Sequence, residues 1–116
     1  MERRASNDRR QNLRTWINRP GRLRVGQGRE SHAQLVDISI RGAALYSPAP
    51  LSPHTDVEVK FHLNMNPKTV WVTVQARVER TYPRGDSHLV RILFVEPPFE
   101  TIQTILEFLQ HKQRPQ

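Results

Sequence analysis

The sequence predicts an all-β domain finished by one C-terminal helix. In Thr55–Leu63 the apolar Val57, Val59, Phe61 and Leu63 alternate strictly with Asp56, Glu58, Lys60 and His62. That period of two is the signature of a half-buried strand. Similar short apolar-rich runs recur along the chain between turn residues, and six such strands can be read. The period then changes. Phe99, Ile102, Ile105, Leu106 and Leu109 fall at helical spacing, with Glu100, Gln103, Glu107 and Gln110 opposite. Six short strands at regular spacing imply an antiparallel barrel or sandwich, and the pattern alone does not choose between them.

Taken in order, residues 1–8 read as a flexible, basic, polar tail, and the folded domain as residues 9–112. Residues 9–19 have no clean period and read as an ordered arm that ends in a turn at Pro20-Gly21. The first strand is Arg22–Val25, closed by Gly26-Gln-Gly28. The second is Ser31–Ser39, and the third is Ala43–Ser47, ended by the proline-rich loop from Pro48 to Pro53. Thr55–Leu63 is the fourth, followed by a turn over Asn64–Lys68. The fifth buries Val70, Val72, Val74, Ala76 and Val78 and turns Trp71, Thr73, Gln75, Arg77 and Glu79 outward, with a loop over Tyr82–Ser87 after it. The sixth, Leu89–Val95, is apolar on both faces apart from Arg91, so its outer face needs a cover. The helix, about residues 99–112, is the expected cover for that face and for Trp71. Residues 113–116 read as a tail.

A chain of 116 residues suffices for one domain with a core. The absence of cysteine excludes disulfides and thiolate chemistry. The N-terminus lacks the apolar stretch of a secretory signal, and no run approaches the roughly 18 apolar residues of a membrane span. A cytoplasmic protein is the expectation. The net charge of +7 is unevenly placed. Residues 1–24 carry eight arginines against Glu2 and Asp8, whereas the remainder carries ten cations against nine acids. Fifteen of the 18 cations are arginine. Guanidinium forks suit phosphates and the O6/N7 edge of guanine better than lysine does.

Catalysis finds little support. The histidines at 32, 54, 62, 88 and 111 show no metal-ligand spacing, and Ser39 lacks a nucleophile context. No phosphate-binding glycine loop is present. A non-enzymatic protein without metal or cofactor is expected. Binding is better supported. Asp37 and Ser39 share one face of an extended strand, with Ile38 and Ile40 on the other, and Gly42 permits a positive-φ turn or close approach to bare backbone. Asp37 is suited to accept from guanine N1–H and N2–H, with Ser39 assisting, while Arg9, Arg10 and Arg14 take phosphates and base edges. The alternative is that Asp37 and Ser39 shape a turn through hydrogen bonds to backbone while the arginines are solvated. Residue types alone leave both open.

Arg10-Gln-Asn-Leu-Arg14 has the form R-x-x-x-R, preceded by Arg9, and Asp37-Ile-Ser-Ile-Arg-Gly42 has the form D-x-S-x-x-G, beginning 23 residues after Arg14. In that order and spacing the two motifs resemble those of the PilZ domain, a bacterial receptor for cyclic di-GMP. The resemblance covers about residues 9 to 110. It implies a six-stranded antiparallel β-barrel with the arginine arm wrapping the ligand against its outer face. Carried over by position, Arg10 and Arg14 would hold phosphates and guanine edges, and Asp37, Ser39 and Gly42 would line the guanine site. Arg9 before the first motif implies an intercalated pair of nucleotides. One departure is visible: many members carry G-x-x-F in the late strand, where this chain reads Arg91-Ile-Leu-Phe94, so Arg91 stays outside the expected core site.

The resemblance further implies a small adaptor, read by a partner protein in motility, biofilm or exopolysaccharide signalling through ordering of the arm. Two other readings stand beside it. A nucleic-acid-binding barrel would use the basic arm, but of its aromatic candidates only Trp16 lies near the arginines. A protein-interaction module of the same fold without nucleotide binding would use an exposed surface such as Trp71.

Overall fold

The structure, a computed structural model, describes residues 14–113. The basic tail at 1–8, the start of the arm with Arg9 and Arg10, and residues 114–116 lie outside the described residues.

Alternation of apolar and polar side chains produces six strands: β1 (Arg14–Val25), β2 (Glu30–Ser39), β3 (Gly42–Ser47), β4 (Asp56–Asn64), β5 (Thr69–Arg84) and β6 (Ser87–Phe94), followed by helix α1 (Phe99–Gln113). All neighbours are antiparallel, and the order β1-β2-β3-β6-β5-β4 closes into a barrel through pairing of β1 with β4. Closure removes the sheet edge where Gly21–Val25 of β1 pair with β4. The approach of β1 to β4 is close at Gly21, where a Cβ would lie 2.9 Å from the Lys60 carbonyl oxygen.

Inward-facing residues of every strand fill the interior, among them Leu23, Leu35, Leu45, Phe61, Leu63 and Ile92. Each such Leu, Ile or Phe contributes about 1.5–3 kcal/mol by leaving water. The alternation read over the fourth and fifth strands holds residue by residue, with Val57, Val59, Phe61, Leu63, Val72, Val74, Ala76 and Val78 buried. Helix α1 adds Ile105, Phe108 and Leu109 to the same core and touches β1, β2, β4 and β5. Glu100 in its first turn and His111 and Lys112 in its last match the helix dipole.

Several expectations are corrected. Pro20-Gly21 is not a turn: β1 runs through it, pairing Pro20 with Gln34 and Gly21 with Ala33. Arg14 to Arg19 therefore belong to a strand rather than a loop. Likewise β5 continues through Tyr82 and Pro83 to Arg84, leaving only a tight turn at Gly85-Asp86 before β6. Both prolines sit where the strand has outrun one partner. The pairing of β1 with β4 begins only at Gly21, and that of β4 with β5 ends at Arg77. A missing N–H is tolerated at such an edge. On the helix Ile105 and Leu109 are buried as expected, but Phe108 joins them while Phe99, expected on that face, is 72% exposed. Finally, α1 does not shield Trp71, which is 69% exposed and leans on His62 with ring centroids 5.0 Å apart. Nor does it cover β6, whose Leu93 remains exposed. The outer face of β6 instead borders a cleft.

Candidate functional site

Three β-bulges surround one region of the barrel wall. On β1 an extra residue falls between Trp16 and Arg19, on β2 between Leu35 and Asp37, and on β5 between Val78 and Arg80. Each bulge re-aims the residues beyond it. The effect on β2 decides the chemistry. Leu35 points into the core opposite Leu45, so strict alternation would also turn Asp37 inward. With Val36 inserted, Asp37 instead pairs with Ala44 on one side and Trp16 on the other, on the outer face, while Ile38 takes the inward position. Reading outward-facing residues across the strands gives two rows: Trp16, Asp37, Ala44, Arg91 and Arg80, and beside it Arg14, Ser39, Gly42, Leu93 and Arg77.

A cleft of about 300 Å³ opens on this face. Arg14 of β1, Ser39 of β2 and Gly42 of β3 line it, together with Arg41 from the intervening turn. Its far wall is Arg91 and Leu93 of β6 and Glu79 of the β5 bulge. Asp37 lies beside the cleft rather than in its lining, with Oδ2 3.9 Å from an Arg14 guanidinium nitrogen. The carboxylate is 95% shielded, whereas the Arg14 side chain is 44% exposed. Asp37 Oδ1 is buried with no hydrogen-bond partner among the described residues. A buried acceptor of this kind is normally paired, since leaving it unmade is costly.

Ser39 and Gly42 act locally in a way their motif positions do not reveal. The Ser39 hydroxyl accepts from the backbone N–H of Arg41 and of Gly42, each at 3.2 Å, and lies 3.3 Å from the Gly42 carbonyl, to which it donates. It therefore builds the β2–β3 turn while presenting an edge to the cleft. Gly42 is required by close approach and not by a positive φ: a Cβ there would sit 2.1 Å from the Ile92 carbonyl oxygen. At the opposite end, Arg80 faces Arg91 across the β5–β6 ladder. A hydrogen bond to Tyr82, and then the charges of Tyr82 and Glu79, push the Arg80 pKa up.

Of the residues expected from sequence, Arg14, Ser39 and Gly42 share one cleft and Asp37 adjoins it. Arg9 and Arg10 lie outside the described residues. Sequence reasoning left out Arg41, Glu79, Arg91 and Leu93. Arg91 and Leu93 could have been found from the alternation of the sixth strand, which sends them outward with Leu89. Glu79 could not, because its position depends on a bulge. Among the described residues, no group of three His, Cys, Asp or Glu side chains is placed to hold a metal, and no helix is long and apolar enough to cross a membrane.

A barrel with Arg14, Ser39 and Gly42 lining one cleft and Asp37 beside it defines a class, and comparison with known proteins bears on it directly. The PilZ domain family model matches residues 8–111, and the chain belongs to that family. No curated protein matches the sequence. Among solved structures, the fold resembles the Bacillus subtilis inhibitor of motility MotI/DgrA at a TM-score of 0.78 and 18% identity, covering 90% of this chain and 51% of that one. It resembles Escherichia coli YcgR in complex with c-di-GMP at a TM-score of 0.71 and 15% identity, covering 91% and 46%. For Borreliella burgdorferi PlzA, also in complex with c-di-GMP, the values are 0.62 and 16%, covering 93% and 44%. This chain thus spans about half the length of each.

Proposed function

We propose that this chain is a receptor for cyclic di-GMP that performs no catalytic step. The nucleotide lies in the cleft that runs from Arg14 of β1 past the β2–β3 turn to β6. Arg9, Arg10 and Arg14 take phosphates and guanine edges, Asp37 accepts from guanine N1–H and N2–H, and Ser39 and Gly42 shape the floor. Arg9 favours a second, intercalated nucleotide. The observation that carries this reading is the buried Asp37 Oδ1, without a hydrogen-bond partner among the described residues, beside an open cleft with Arg14 at its rim. A guanine supplies the missing donors, and its O6/N7 edge and phosphates suit the guanidinium. Membership of the PilZ family and the c-di-GMP complexes of YcgR and PlzA support the same ligand. The signal passes to a partner protein that reads the ligand-bound surface.

Calorimetric titration with cyclic di-GMP tests this. The wild type binds, while Asp37→Ala, which removes two charge-assisted hydrogen bonds, weakens binding about a hundredfold or more. Arg14→Ala weakens it about tenfold or more. Wild-type affinity in both folded variants would remove these residues from the site. No heat from the wild type at tens of micromolar ligand would refute the reading itself.

A further inference from the structure

The far wall of the cleft holds a cation that the motifs do not include. Arg91 projects from β6, half-buried, and has no hydrogen bond or ion pair with another described residue. Its cross-strand neighbour on β5 is Arg80, another guanidinium, and its neighbour on β3 is Ala44, which has nothing to offer a charge. Like charges placed directly opposite on a sheet face destabilise it. A half-buried guanidinium with no acceptor among the described residues adds a desolvation penalty. Glu79 lines the same cleft, yet no oxygen of it comes within ion-pairing distance of Arg91. Arg91 itself lines the cleft and is left facing it.

Such an arrangement is unfavourable in the empty barrel and becomes favourable once an anion or a carbonyl acceptor enters. We propose that Arg91 is a ligand-binding residue of this chain, closing on a phosphate or guanine O6/N7 edge from the wall opposite Arg14. The inference rests on the cyclic di-GMP reading and deepens it. The nucleotide is gripped from β1 and from β6 at once, across a floor made low by Gly42 and Ala44. The barrel order places β2 and β3 between those two walls.

The variant Arg91→Gln keeps a polar side chain and removes the charge and the guanidinium fork. Titrated with cyclic di-GMP, it binds about tenfold to a hundredfold more weakly than the wild type. Arg91→Lys keeps the charge but loses the fork and falls between the two. In thermal unfolding without ligand, Arg91→Gln melts at or above the wild-type temperature, because the opposition with Arg80 is relieved. Weaker binding together with unchanged or raised stability is a combination that a merely structural arginine does not give. Wild-type affinity in Arg91→Gln, measured beside a wild type that binds, overturns the inference and leaves the cyclic di-GMP reading intact. A lowered melting temperature in both Arg91→Gln and Arg91→Lys also overturns it, since Arg91 would then serve the fold. A wild type that binds no cyclic di-GMP marks failure of the underlying reading, and this inference falls with it.

Discussion

Replacing Gly42 by alanine adds a single methyl group at a point where the β6 backbone closely approaches β3. Built on the present backbone, that Cβ lies 2.1 Å from the Ile92 carbonyl oxygen, 3.2 Å from the Ile92 carbonyl carbon and 3.2 Å from Leu93 Cα. All three are backbone atoms, so no rotamer change relieves the contact. The Ile92 carbonyl must retreat by roughly 0.9 Å to reach even the tightest tolerated separation, which places the substitution among overpacking changes. Such changes cost about 1–3 kcal/mol, and a clash with backbone inside a ladder belongs at the upper end. Retreat of β6 also strains the Gly42–Leu93 and Ala43–Ile92 pairing and moves Arg91 and Leu93, the far wall of the cleft. For a domain of this size about 3 kcal/mol lowers the melting temperature by roughly 10–15 °C. Thermal and urea unfolding followed by circular dichroism measure it. A Gly42→Ala variant within about 0.5 kcal/mol of the wild type would refute the close-approach account of this glycine.

The remaining perturbations address the helix and one surface pair. Phe108→Ala removes a fully buried ring that joins α1 to the barrel core, and is expected to destabilise by about 3–5 kcal/mol in urea denaturation. A loss below about 1 kcal/mol would mean that α1 contributes little to the fold. The hydrogen bond from Lys60, at 2.6 Å, holds the Glu30 carboxyl below the usual glutamate range, aided by the charges of Lys60, Arg22 and Arg24. Because the folded pKa is the lower one, the pair's contribution is present above the ordinary glutamate pKa and is lost as pH falls through the folded value. In Lys60→Met the Glu30 titration followed by carboxyl NMR moves upward. An unmoved titration would dismiss Lys60 as its cause.

The strands were legible wherever burial imposed strict alternation, as in β4 and most of β5. They were misread at Pro20 and Pro83, because a proline breaks a ladder only where both sides of the strand are paired, and pairing is invisible in a single sequence. Ile105 and Leu109 of the expected helix face do meet the core, but its edge was misplaced by the same blindness to partners: Phe99 fits the helical period as well as Phe108 does, and only Phe108 meets the barrel. At the site, residue types left ligand contact and turn chemistry open, and the resemblance to the PilZ motifs pointed to Arg14, Asp37, Ser39 and Gly42. Their roles did not follow from type, since Asp37 faces outward only because Val36 is bulged and Gly42 is needed for contact rather than for its dihedral angle. Arg91 was visible as a departure from the family's late-strand pattern, and its opposition to Arg80 emerges only from the β5–β6 register.

The central claim, that cyclic di-GMP occupies the cleft beside Asp37, is tested most directly by mapping amide chemical shifts during titration with that nucleotide. The account predicts saturable shifts concentrated at Arg14–Trp16, Asp37–Ala44, Glu79–Arg80 and Arg91–Leu93, with Trp71 and α1 unmoved. Absence of shifts, or shifts centred on Trp71 or on the helix, would contradict it.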